Sequence, residues 1–282
     1  MILPYWNVGV DIQPGHFKAV AVQKKRHCWQ LRGWWYEPFD YHIIDQTGLC
    51  HPKHLLDKLQ QWRKKLPNRL SVRTHFPLYL VLQQHRKLPT QILTNTELTI
   101  YLCTLLKQLY FQQENELVYD YRYISSTEVT LTVAKKAEFQ KWFDTIKAAK
   151  LTLEAIDLAP CLLYQLAHQQ QMASATFVHC CGHDAFILIV SNEGYRTYPL
   201  SDFQTQQALI AEVHQYSPRL DDSENEPILL SGTFPFHTPL LPPLHYLHPF
   251  YHLQQGTPAL PQQPQSYSIA MALATRELEY AS

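Results

Sequence analysis

An α/β fold is what this sequence predicts, on three observations. An apolar hairpin with a Pro-Gly turn opens the chain at Val8 to Val22. A second apolar hairpin recurs at Thr176 to Val190, and the stretches around and between them alternate helical with strand spacing. With 282 residues, 46% of them hydrophobic, the chain has apolar surface for one large core or two moderate ones.

Taken in order, Val8-Gly9-Val10-Asp11-Ile12-Gln13 is an apolar run with one acid near the mouth of the turn. Pro14-Gly15 supplies the turn, and Phe17, Ala19 and Ala21 alternate with Lys18, Val20 and Val22 in the return strand. A phosphate-handling hairpin is built this way, but an acid at a strand end is also an ordinary turn-former, and Lys18 reads equally as a solvated strand residue. Trp29 to Tyr36 reads as a third strand ending at Pro38. Leu55, Leu56, Leu59 and Trp62 predict a helix from His54 to Lys65, and the strand Leu70 to His75 stops at Pro77.

Past Leu88-Pro89, Thr94-Asn95-Thr96-Glu97 has the form of a capping box, and the helix it opens carries Leu98, Leu102, Leu105 and Leu109 along one face. Asp120-Tyr121-Arg122-Tyr123 leads to an alternating strand, Val129 to Ala134. A helix with Phe139, Trp142, Phe143 and Ile146 inward follows, then a strand from Leu151 to Asp157. The helix carrying Leu162, Leu163 and Leu166 precedes the second hairpin, whose turn falls around Gly182-His183-Asp184. Pro227 to Thr233 is a buried strand running into a turn at Gly232, and Ser268 to Ala274 is a closing helix.

Composition narrows the function. Lys plus Arg and Asp plus Glu are 24 each, so no net field favours nucleic acid or an anionic membrane. The triplets Lys24-Lys25-Arg26 and Arg63-Lys64-Lys65 read as ends of a strand and a helix. No apolar stretch reaches the ~20 residues that span a bilayer, and Met1 to Trp6 lacks the basic and apolar regions of an export signal. The six cysteines have no disulfide-framework spacing and are expected to be reduced, buried thiols.

Glycine is scarce, eight in all and none between Gly48 and Gly182, which leaves few places where backbone could cradle a phosphate. No phosphate loop, nucleophile elbow or His-Glu-x-x-His helix offers another chemistry. His179, Cys180, Cys181 and His183 are zinc-ligand types, but adjacent cysteines on a strand point to opposite faces and no second pair follows, so inert strand thiols are the preferred reading. Ile228 to Thr275 contains no Asp, Glu, Lys or Arg. It is read as a proline-rich connection lying against the domain rather than as a docking surface.

In their order along the chain, the first hairpin, Leu88-Pro89, Asp120-Tyr121, Ala155-Ile156-Asp157, the second hairpin and the strand at Ile228 resemble the type IV pilus assembly protein PilM family, in its short competence and DNA-utilisation branch. The resemblance implies an actin-like (ribonuclease H-like) fold of two lobes. Residues 1–158 would form the first, with a small inserted subdomain at about 76–158, and residues 159–282 a reduced second lobe.

It also implies a vestigial nucleotide site at Asp11, Gly15, Lys18, Gly182 and Gly232. Gln13, Pro14 and Thr233 depart from the family pattern, and His179-Cys180-Cys181 stands where its second acid is expected. No catalytic residue, metal or cofactor is therefore expected; ATP with magnesium is the one cofactor the remnant could take. The function implied is a cytoplasmic adaptor, peripheral at the inner membrane. It would grip the cytoplasmic N-terminal peptide of a PilN-like single-pass protein and meet other pilus or competence assembly proteins, without touching nucleic acid. The opposing reading is a working actin-like ATPase or small-molecule kinase with an atypical phosphate site.

Overall fold

The computed structural model describes residues 5–26, 28–89, 94–110, 116–125, 127–181, 184–192, 194–216, 226–236, 238–254 and 258–276. The first part of the chain forms β1 (Trp6–Gln13), β2 (His16–Lys25), β3 (Cys28–Pro38), the small ribbon β4 (Ile44–Asp45) with β5 (Gly48–Leu49), α1 (Pro52–Arg63) and β6 (Leu70–His75). A 3-10 turn, Leu78–Leu80, leads into β7 (Val81–Lys87), α2 (Asn95–Tyr110), β8 (Leu117–Ser125), β9 (Glu128–Lys135), α3 (Lys136–Ala148) and β10 (Leu153–Asp157). After α4 (Ala159–Gln169) come β11 (Ala175–Cys181), β12 (Asp184–Ser191), β13 (Gly194–Pro199), α5 (Gln206–Tyr216), β14 (Ile228–Gly232), β15 (Leu244–Tyr246), β16 (Leu253–Gln254) and α6 (Ser268–Thr275).

The two principal sheets repeat one plan. In the first, β3-β2-β1 is an antiparallel meander continued by β6 and β10 in parallel; in the second, β13-β12-β11 is the meander and β14 and β15 continue it in parallel. Two such lobes make the actin-like fold the sequence implies. The first sheet buries Val8, Val10 and Phe17 among Leu55, Leu59 and Trp62 of α1 and Trp142 and Ile146 of α3. Its other face meets α6, all eight residues of which are buried. At Gly9 a Cβ would lie 1.9 Å from the carbonyl oxygen of Ala270, so only glycine lets β1 and α6 meet. Ile269 and Leu273 of α6 also join the core of the second lobe, with α4 and β11.

The uncharged segment does lie against the body, as expected. Its β15 extends the second sheet, its β16 pairs in parallel with β3 of the first, and Trp34 Nε1 donates to the carbonyl of Ala259 at 2.7 Å.

The insert is the antiparallel sheet β7-β9-β8, covered on one face by α2. Thr94 and Glu97 form the capping box: Thr94 N–H donates to the Glu97 carboxylate at 2.7 Å and Glu97 N–H to Thr94 Oγ1 at 3.3 Å. The fully buried face of α2 is Leu98, Leu102 and Leu106, against Val129, Leu131 and Val133, which corrects the expected Leu105 and Leu109 by one position of the helical repeat. Cys28 and Cys50 are exposed and Cys103 and Cys180 half-buried, so the expectation of six buried thiols holds only at Cys161 and Cys181. Among the described residues no helix is long and apolar enough to cross a membrane.

Candidate functional site

The two hairpins bring a cluster of polar side chains into the interior. Asp11 and Lys18 face each other in the β1–β2 register, and both are buried, at 1% and 5% exposure. The reading of Lys18 as a solvated strand residue is thereby overturned. The Asp11 carboxylate accepts from Gln13 Nε2 at 2.6 Å and pairs with His75 Nε2 at 2.9 Å. His75 closes β6, the parallel neighbour of β1, so sheet pairing sets it beside the acid.

Burial alone would raise the Asp11 carboxyl; the His75 and Gln13 hydrogen bonds and the charges of His75 and Lys18 overcome it and hold the pKa at about 2. His75 is likewise opposed by burial and carried upward by Asp11, with help from Asp184. The Lys18 ammonium lies 5.6 Å from the ring centre of Tyr267, just ahead of α6.

From the second hairpin comes Asp184. In the sequence it reads only as part of the turn of the second hairpin. It is in fact the first residue of β12, opposite Cys181, and only 5% exposed. Its carboxylate accepts the backbone N–H of Leu78 at 3.1 Å and also that of Tyr79, across in the first lobe. Burial foremost, then the charge of Asp11, pushes its pKa up to about 6 against the opposite pull of His75 and the two N–H groups. His179 lies deeper, 2.9 Å from Ser231 Oγ through Nδ1, and burial pushes it down to about 4.

The glycines behave differently from one another. Gly232 has φ +103°, and a Cβ there would sit 2.1 Å from the Cys180 carbonyl oxygen, which instead accepts the Thr233 N–H at 2.8 Å. It is needed for the close approach of β14 to β11. Gly15 has no positive φ; its carbonyl and that of Pro14 accept the N–H groups of Phe39 and Ile43, both at 2.9 Å. Gly182, with His183, lies outside the described residues.

A magnesium nucleotide needs an acid free for the metal and turn N–H groups free for phosphate. Here Asp11 is engaged by His75 and Gln13, and Pro14 has no N–H to offer a phosphate. Among the described residues no three His, Cys, Asp or Glu side chains are grouped to hold a metal. Among the described residues, those of the first hairpin do not fit the group.

A second feature lies on the insert. The sheet face turned away from α2 carries rows of side chains set by register: Val81, Ala134 and Val118, then Gln83, Thr132 and Asp120, then His85, Thr130 and Arg122. Opposite the first rows stand Phe76, Phe139, Ile156 and Leu158, with Cys161 of α4 and Tyr195 of β13, enclosing a cavity of about 220 Å³ with an apolar inner end. It continues past Arg122 and Tyr195 into a more polar space of about 320 Å³ beside Tyr164, Asn192 and Thr197. Asp157 in the wall is held by Arg276 at 2.9 Å and faces Arg122 at 3.9 Å. The sequence points to the insert but to none of these groove residues; the alternation Val118, Asp120, Arg122 against Leu117, Tyr119, Tyr121 was the available signal.

No family model matches the chain. The DNA utilization protein HofM of Escherichia coli (strain K12) is 25% identical over 180 residues, 61% of this chain and 69% of that protein. Among solved structures the chain is similar to the PilM-PilN type IV pilus biogenesis complex, with a TM-score of 0.73, 13% identity, and coverage of 95% of this chain and 97% of that one. It is also similar to the cytoplasmic domain of EpsL, an inner membrane component of the type II secretion system of Vibrio cholerae. There the TM-score is 0.53 and the identity 10%, over 94% of this chain and 92% of that one. The resemblance is thus one of sequence to HofM and one of fold to the PilM-PilN complex and EpsL.

Proposed function

We propose that the chain is an assembly adaptor of a type IV pilus, competence or related secretion machine, working at the cytoplasmic face of the inner membrane through a PilN-like single-pass protein. The observation that carries this reading is the groove between the insert sheet and the first lobe: a preformed cavity of about 220 Å³, lined mostly by apolar side chains and bordered by the edge strand β8. Such a channel suits the short cytoplasmic N-terminal peptide of a membrane protein, where affinity for a small contact depends on preformed shape and backbone pairing. Likeness to a PilM-PilN complex and to a secretion-system component supports it. On the same reading residues 1–158 with the insert from about 76 form the first lobe, residues 159–282 the second, and Asp11, Gly15, Lys18, Gly182 and Gly232 the remnant of a nucleotide site.

Amide hydrogen exchange with a synthetic peptide of the partner's N-terminus tests the proposal. Protection is expected in β8, β9 and the segment around Ile156. Protection confined to Ile228–Thr275 would move the docking site and refute it.

A further inference from the structure

β8 ends the order β7-β9-β8, so among the described residues one of its edges has no strand beside it. In an antiparallel pair, residues that exchange backbone bonds with the neighbour alternate with residues whose N–H and C=O point away. The Tyr121 N–H is bonded at 2.8 Å by the carboxylate of Asp120 next to it in the chain. That N–H therefore points away from β9, and Tyr119 and Tyr123 share its phase. Asp120 is exposed, lines the groove, and forms no ion pair among the described residues. The other acid of the wall, Asp157, is already matched by Arg276 and Arg122. Among the described residues the groove thus offers one negative charge without an ion-pair partner, folded over one backbone donor of the edge strand.

We infer that Asp120 guards this edge in the free protein and reads the charge of the peptide that replaces it. When an extended segment is added to β8, the carboxylate leaves the Tyr121 N–H to the incoming backbone and takes a lysine or arginine of that segment. Val118 and Asp120 are two residues apart on one face of β8, and side chains two apart on an added strand share a face as well. The preferred segment accordingly carries an apolar side chain for the end lined by Phe76, Val81 and Phe139, and a basic side chain two positions away. A guarding charge also accounts for how an open edge avoids pairing with other chains.

The inference rests on the docking reading above, and the test separates the two. Short acetylated peptides with one leucine and, two positions on, lysine, glutamine or glutamate are titrated into the full chain. Affinity is read by fluorescence and location by hydrogen exchange. The wild type should favour lysine over glutamine by about fivefold at low salt, a preference that fades as salt screens an exposed pair. Asp120→Asn should bind the lysine and glutamine peptides alike, without losing affinity for the glutamine peptide. Equal affinities in the wild type, or a lysine preference that survives in Asp120→Asn, would overturn the role of Asp120 while leaving docking intact. Failure of every peptide to protect groove amides would overturn docking and the inference together.

Discussion

Replacing Asp184 with asparagine should make the protein more stable at pH 8, a result opposite to the usual outcome of altering a buried polar residue. The carboxyl is pushed from 3.8 to about 6 in the folded state. A folded pKa above the unfolded one means that the native state binds the proton more tightly, so stability is lost as pH rises through about 6 and regained as it falls. The shift of roughly two units at 1.36 kcal/mol each sets the cost of keeping the ionised group buried at about 3 kcal/mol above pH 7. Asparagine keeps an oxygen for the Leu78 and Tyr79 N–H groups and imitates the protonated acid.

Urea unfolding of both proteins at pH 8 should show the variant with the higher midpoint and the same slope, and at pH 4.5 the two curves should approach each other. A variant less stable at pH 8, or a gain equal at both pH values, would refute the assignment of Asp184 as an ionised group held inside against its solvation. The cost would be unexplained if the side chain served packing alone. Its two backbone partners lie in the other lobe, which gives the carboxylate a positional task.

Asp11 should behave in the opposite sense: with its pKa held near 2 it contributes about 2 kcal/mol above pH 4 that is lost as pH falls toward 2. Urea midpoints of Asp11→Asn should therefore lie below wild type at pH 5 and converge with it at pH 2; a constant gap would remove the His75 pairing as the cause. Gly9→Ala would drive a Cβ to within 1.9 Å of a backbone oxygen of α6, so loss of several kcal/mol and fast amide exchange throughout α6 are expected; an unchanged melting temperature would show that α6 can shift at no cost. ATP with magnesium should neither be hydrolysed nor raise the melting temperature, and turnover abolished by Asp11→Ala would reverse that reading.

The hairpins, α1, α3, α4 and α6 were legible because turn chemistry and apolar spacing agree at each. β7 was not: Val-Leu-Gln-Gln-His-Arg-Lys is an edge strand that turns Gln83 and His85 toward the groove, and nothing in its composition separates it from a loop. The face of α2 was displaced because Leu105, Leu106 and Leu109 all suit a helix, and only packing on Val129, Leu131 and Val133 chooses among them. Of the interior cluster, Asp11 and Lys18 were legible as residues of the first hairpin, but their burial was not. His75 stands 64 residues from Asp11 and reads as an ordinary strand end before Pro77. The parallel pairing of β1 with β6 that unites them is a tertiary fact.

The buried polar cluster and the groove are joined by one short run of chain. His75 ends in the Asp11 pair; Phe76 donates its N–H to the Asp157 carbonyl at 2.8 Å and turns its ring into the groove. Leu78 and Tyr79 give their N–H groups to Asp184 of the second lobe, and Val81 opens the strand that floors the groove. Within these seven residues the interior acids of both hairpins fix the start of the insert. The placement of the insert is thus held by the chain's own polar contacts, the Asp11–His75 pair and the N–H groups that Asp184 accepts. A peptide bound along β8 meets a wall anchored through Phe76 and Val81 to both lobes, and anchorage of that kind spares a preformed groove the ordering cost of binding.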